Sequence, residues 1–146
     1  MKIVPSEFSN SAWNCFILAK EIAYKNHQQN VDSDNLFLAL IKQDNLTKKI
    51  LKKNNVNIKE IEKGIMSSLN LKAKMKNKQD NLYIGDTLHK IFLKANDIKN
   101  TLNDVVISTE HLVYGLTYDD KYGFQILNQK GIPEFLETIK KMKSDP

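Results

Sequence analysis

The sequence predicts an all-α fold: two tandem four-helix repeats, related by a pseudo-twofold axis and packed into one compact globular domain. Two observations carry this expectation. Sliding the chain on itself by 76 positions aligns residues 8–57 with 84–133 without a gap, and eight pairs are identical: Phe16/Phe92, Ala19/Ala95, Ile22/Ile98, Leu36/Leu112, Leu40/Leu116, Asp44/Asp120, Ile50/Ile126 and Leu51/Leu127. All but the Asp44/Asp120 pair fall on apolar positions, many spaced three and four residues apart, the period of a helix with one buried face. At 146 residues the chain fits a single domain, one large enough to bury roughly two thirds of its unfolded surface.

The first repeat, about residues 8–69, opens with a long helix. Ser9 is its expected N-cap, and Phe8 before the cap pairs with Trp13 as a hydrophobic staple. Ala12, Cys15, Phe16, Ala19, Ile22 and Ala23 mark its buried face, and the polar run from Asn26 to Asn30 ends it near His27. Asp32 or Ser33 then caps a short helix carrying Leu36 to Ile41. A helix this apolar on every side belongs at the centre of a core. Third and fourth helices are expected around Leu46–Lys53 and Ile58–Leu69.

Residues 70–82 carry lysines at every second position from Lys72 to Lys78. Neighbouring like charges without an apolar face predict a solvated linker. The second repeat, about 84–142, restates the first. Asp86 is the expected cap of a helix bearing Leu88, Ile91, Phe92, Ala95 and Ile98, and Ser108 caps Leu112–Leu116. Helices over Tyr122–Gln129 and from Pro133 complete the count, proline suiting a first helical turn.

Composition narrows the function. No apolar run reaches the roughly 20 residues of a membrane span, and Met1 to Pro5 shows no secretory signal or transit pattern. No membrane role is expected. The single Cys15 allows no internal disulfide and fits a reducing compartment, so the expected location is cytoplasmic, or plastid stroma in a plastid-bearing source. The net charge is +5, yet all 22 basic residues are lysine. The planar guanidinium fork that reads phosphate and guanine is absent, and nucleic acid is not an expected partner.

Catalytic chemistry is not expected either. The five glycines are isolated and form no phosphate-binding loop, so the chain should hydrolyse no nucleotide. Three histidines stand apart from Cys15 and from each other, which gives no metal ligand set, and no cofactor is implied. The "VVISTEHLVYGL" stretch, residues 105–116, pairs Glu110 with His111 but lacks a second histidine. Its counterpart "NVDSDNLFLALI", residues 30–41, follows the same grammar with Asn35 in the histidine's place. Both phrases read as a cap followed by a buried helix. Asp34 and Glu110 fall in first helical turns, where a carboxylate gains about 0.3–1 kcal/mol from the helix dipole.

Four-helix units that each carry a short apolar helix introduced by "[ST]-[DE]-[HN]-L-x-x-x-L" resemble the N-terminal domain of the Clp-family AAA+ unfoldases. The segments carrying the likeness are "FSNSAW", "NHQQNVDSDNLFLAL", "LYIGDTL", "NDVVISTEHLVYGL" and "DDKYGFQILNQKGI". They cover the chain from about Phe8 to Met142. The form of "NHQQNVDSDNL" and "DDKYGFQIL" looks closest to ClpB-type disaggregases of cyanobacterial or plastid type.

The resemblance implies a non-catalytic, substrate-binding domain of a stress-response chaperone. It would capture unfolded or aggregated polypeptide for threading by hexameric AAA+ rings in the parent chain, with an adaptor protein as a further partner. Matched onto the family pattern, Ser9, Asp104 and Glu110 take the substrate-contact positions, with Ser9 standing where threonine is usual. Asp34 and Glu110 match acids that recognise phosphorylated arginine in ClpC-type relatives, although Asp34 is shorter than the usual glutamate and Asn35 replaces the usual histidine. An apolar groove for unfolded segments is expected at Phe8, Leu82, Tyr83 and Ile84, which precede the two long helices. The alternative reading is an adaptor-docking domain of a ClpC/ClpA-type unfoldase, or a free-standing regulator of the Clp protease.

Overall fold

The computed structural model describes residues 2–43, 46–53 and 55–120, with residues 137, 140 and 141 singly. The helix expected over Tyr122–Gln129 lies outside these residues, and of the one expected from Pro133 only residues 137, 140 and 141 are described, all helical. After a short 3₁₀ turn at Pro5–Glu7 the elements run α1 (Asn10–Lys25), β1 (Asn30–Val31), α2 (Ser33–Lys42), α3 (Leu46–Lys53), α4 (Ile58–Leu71), β2 (Tyr83–Ile84), α5 (Asp86–Thr101) and α6 (Thr109–Leu116).

Local chemistry sets these boundaries. Ser9 Oγ accepts the Ala12 amide at 3.1 Å and starts α1, and the Phe8 and Trp13 rings meet at 5.5 Å as the staple requires. The helix ends in a Schellman motif: the His27 amide bonds Tyr24 O, the Gln28 amide bonds Ala23 O, and His27 takes the left-handed conformation at φ 56°. The end of α5 repeats this at an offset of 76, with Asn103 at φ 58°, its amide bonding Asn100 O and the Asp104 amide bonding Lys99 O. Turning the chain this way satisfies carbonyls that a helix end otherwise leaves orphaned. One cap differs from expectation. The residue before α5 in cap position is Gly85, and Asp86 is the first helical residue. A Cβ at Gly85 would collide with the Asp32 carboxylate, so a larger cap would force that side chain to move.

Every residue of α2 from Ser33 to Ile41 is buried. It is the central element, touching α1, α3, α4, α5 and α6. Around it the Phe8, Trp13, Phe16 and Phe92 rings pack with neighbouring centroids 5.3–5.5 Å apart, each pair adding about 0.5–1.5 kcal/mol beyond its area. Helix α6 lies directly on α5, because Gly115 lets the Ile91 carbonyl come within 2.6 Å of where a Cβ would sit. Cys15 is fully buried in this core, with its thiol donating to Gln43 Oε1 at 3.0 Å. Burial pushes the thiol up to about 11.

The two copies are joined by extended residues that the helical period did not announce. β1 pairs with β2 in parallel, Val31 opposite Ile84, and the Gly85 amide donates to Val31 O at 2.9 Å. Phe8 pairs with Ile107 in the same sense, and the Ser9 amide donates to Ile107 O at 2.8 Å. Ser9 and Gly85 are 76 apart, as are Val31 and Ile107. Each copy thus lends the residue before its long helix to the strand of the other, which is the pseudo-twofold relation in hydrogen bonds.

Candidate functional site

The predicted site residues fall into two groups. Ser9, Asp104 and Glu110 gather where Phe8 meets Ile107. Asp34, Leu82, Tyr83 and Ile84 gather where Val31 meets Ile84, on the other pairing of the twofold.

In the first group, α6 begins with a reciprocal cap. The Ser108 amide donates to His111 Nδ1 at 2.8 Å, within a capping box in which the Ser108 side chain answers the His111 amide. Because Nδ1 accepts, the proton sits on Nε2, which donates to Asp104 Oδ2 at 2.7 Å. His111 is fully buried, so this chain of bonds fixes both the ring and the carboxylate beside it. The Asp104 side chain stays 26% exposed and is followed by Val105, which at 89% is the most exposed large hydrophobic residue among those described. Glu110 is only 6% exposed. Ser9 Oγ is occupied as the α1 cap.

The first repeat builds the same cap from different residues. The Asp32 amide donates to Asn35 Oδ1 at 2.9 Å, and Asn35 exchanges two side-chain bonds with Gln28, at 2.9 and 3.0 Å. Gln28 is the counterpart of Asp104, and Asn35 of His111. The repeat therefore explains Asp104 in the way capping of its own helix could not: it is the outer partner of a buried cap residue.

Asp34 takes a different course. It is 2% exposed, and Lys72 Nζ reaches it at 2.9 Å while also holding Asp32 at 2.9 Å. Burial alone would lower the Lys72 pKa, but hydrogen bonds and charge from Asp32 and Asp34 outweigh it and raise the ammonium above its usual 10.5. Asp34 is thus closed off from solvent and ion-paired within the chain, where one ammonium serves two carboxylates. Lys72 likewise leaves the solvated linker in which periodicity placed it. Other ties hold that segment: Met75 N donates to His27 O at 2.8 Å, and Gln29 Nε2 to Asn81 O at 2.9 Å.

The apolar candidates also divide. Phe8 is 5% exposed, with its ring against Trp13 and Phe92, which removes it from any surface groove. Ile84 and Leu82 are half-buried against the core, and Tyr83 stands 64% exposed. Among the described residues no set of three metal-binding side chains converges, and no helix is long and apolar enough to cross a membrane.

A helical domain made of two copies interlocked by exchanged backbone pairs, with an exposed loop beside a buried cap network, is the class that this geometry defines. The chain belongs to the Clp repeat (R) N-terminal domain family, whose pattern matches residues 7–130. It is 28% identical over 141 residues to the chaperone protein ClpB 2 of Synechocystis, covering 95% of this chain and 16% of that protein. Among solved structures it resembles the Hsp104 N-terminal domain from Candida albicans, with a TM-score of 0.81 and 15% identity over 96% of this chain and 93% of that one. The N-terminal domain of ClpD from Arabidopsis thaliana is also similar, at a TM-score of 0.70 and 16% identity over 97% and 100% of the two chains. The chain thus spans about one sixth of the length of the curated ClpB relatives it matches.

Proposed function

We propose that this domain is the polypeptide-capturing N-terminal module of a ClpB-type chaperone, holding unfolded or aggregated segments for AAA+ rings in the same assembly. The observation that carries the reading is the 103–107 loop. A carboxylate oriented by a buried histidine stands there beside an unusually exposed valine. An exposed aliphatic residue next to a fixed acid suits weak, sequence-tolerant capture of apolar, basic-flanked segments, in which apolar area contributes about 25 cal/mol per Å² buried. The likeness to cyanobacterial ClpB over nearly the whole chain supports the subtype.

Asp104 is the contact residue of this site. Glu110 and Ser9 shape it from behind, the first nearly buried and the second held as a cap. The test uses reduced, carboxamidomethylated lysozyme, a basic unfolded chain, as the probe in a fluorescence titration. The chain should bind it weakly, and Val105→Ser or Asp104→Ala should weaken binding by about three- to tenfold while the circular dichroism spectrum is retained. Absence of binding by the parent chain, or binding by both variants as tight as the parent's, would sink the reading.

A further inference from the structure

The first repeat carries a second concave surface on a different face. A cleft of about 250 Å³ opens between α1, α2 and α4. Ile22, Leu38, Met66 and Leu69 form its floor, with Lys25 and Lys42 on its walls. Its size lies just below the roughly 300–1,000 Å³ of small-molecule pockets and suits one apolar side chain of a peptide. Met66 is 43% exposed although its neighbours Ile65 and Leu69 are buried, and methionine recurs on surfaces that adapt to a partner.

Charge identifies the occupant. The charged side chains lining this cleft are both lysines. Each makes a surface ion pair with a glutamate, Lys25 with Glu21 at 2.8 Å and Lys42 with Glu62 at 3.8 Å, but all four side chains are at least 45% exposed. Such pairs contribute little and exchange readily for a better-placed carboxylate. The internal repeat supplies a comparison for the α1 and α2 walls, whose counterparts lie on α5 and α6. At an offset of 76, Lys25 and Lys42 become Thr101 and Tyr118, and Leu38 becomes Tyr114. The two tyrosine hydroxyls bond each other at 3.0 Å, and desolvation together with that bond pushes Tyr114 up to about 12. The paired lysines are therefore particular to the first copy and do not follow from the repeat itself.

We infer that the α1–α2–α4 cleft is a docking site for an apolar anchor flanked by carboxylates, carried on a short acidic segment of a partner protein. Its charge preference is the reverse of that at Asp104, so the domain presents two faces that select opposite flanking charges. One would hold a basic-flanked unfolded segment while the other holds an acidic docking peptide.

The test compares two labelled synthetic peptides by fluorescence anisotropy, each with a pair of adjacent leucines, flanked in one by glutamates and in the other by lysines. The acidic peptide should bind this chain about tenfold more tightly than the basic one at low salt. The double change Lys25→Glu/Lys42→Glu, on exposed side chains, should reverse that order. Met66→Glu should abolish binding of the acidic peptide, and Asp104→Asn should leave it unchanged. Equal binding of the two peptides would overturn the inference. So would binding of the acidic peptide that survives both cleft variants, or amide chemical-shift changes confined to α5 and α6. A second copy of the chain as occupant would appear as dimerisation lost in Met66→Glu, which also counts against an acidic partner.

Discussion

Lys72 contributes to stability through the carboxylate it leaves behind. With the ammonium gone, Asp34 would remain buried as an unpaired charge, its side chain 3% exposed. Removing one partner of a buried pair costs more than the pair contributes. Lys72→Met should lower unfolding stability by about 2 kcal/mol, discounted because Asp32 keeps a 25% exposed side chain. Urea denaturation measures this, and adding Asp34→Asn should recover more than half of the loss. Failure to recover would mean that the lysine acts through its stem. The pH dependence follows from the raised ammonium pKa. A group held above its unfolded value contributes fully below that value and loses its contribution as pH rises through the folded one. The gap between the parent chain and Lys72→Met should thus be constant from about pH 6 to 9 and, on the alkaline side, shrink only above 10.5.

At the scale of elements, the two short apolar helices test whether residues 76 apart are interchangeable. In α2 the cap partner is Asn35, and in α6 it is His111. Both accept the amide of the residue before the helix and bond outward to the end of the preceding turn, at Gln28 and Asp104. His111→Asn should keep the inward bond and cost about 1 kcal/mol in thermal or urea unfolding, whereas His111→Ala should cost about 2–3 kcal/mol, since it also opens a buried cavity. Equal losses would show that capping is not what holds the ring. These helices were legible because their apolar runs and cap residues are local signals. The α1 cap and the end of α1 near His27 were legible for the same reason. The Gly85 cap was not, because the room there is limited by the Asp32 carboxylate of the other copy, a contact no local pattern encodes. Lys72 and the paired extended residues escaped for the same reason. A two-residue strand has no period to detect, and an alternating lysine run reads as solvated until the half-buried Lys72 is seen between its two acids. At the site, Asp104 was picked out by family likeness, but its bond to His111 became readable only when the two copies were superposed.

The whole molecule is held by reciprocity. Ile107 O accepts from Ser9 and Val31 O accepts from Gly85, so each copy completes an edge of the other. The aromatic cluster crosses the same boundary, with Phe92 against both Phe8 and Phe16. α2 of the first copy touches α5 and α6 of the second. Either half alone would expose that shared surface and leave its extended residues unpaired, at a cost larger than the few kcal/mol by which small domains are stable. Peptides spanning 2–77 and 78–146 should therefore be largely unfolded when separate, with little near-ultraviolet circular dichroism and no cooperative melt. Mixed at equal concentration they should regain helical content and a single transition whose midpoint rises with concentration, as mass action requires of an assembly of two chains. The exchanged backbone pairs make the sharper test. Gly85→Ala, which collides with Asp32 at the joint, should weaken that complementation more than it disturbs any structure left in either fragment. Independent folding of the first fragment would show that the copies merely adjoin, and that the crossed pairs are not what makes them one domain.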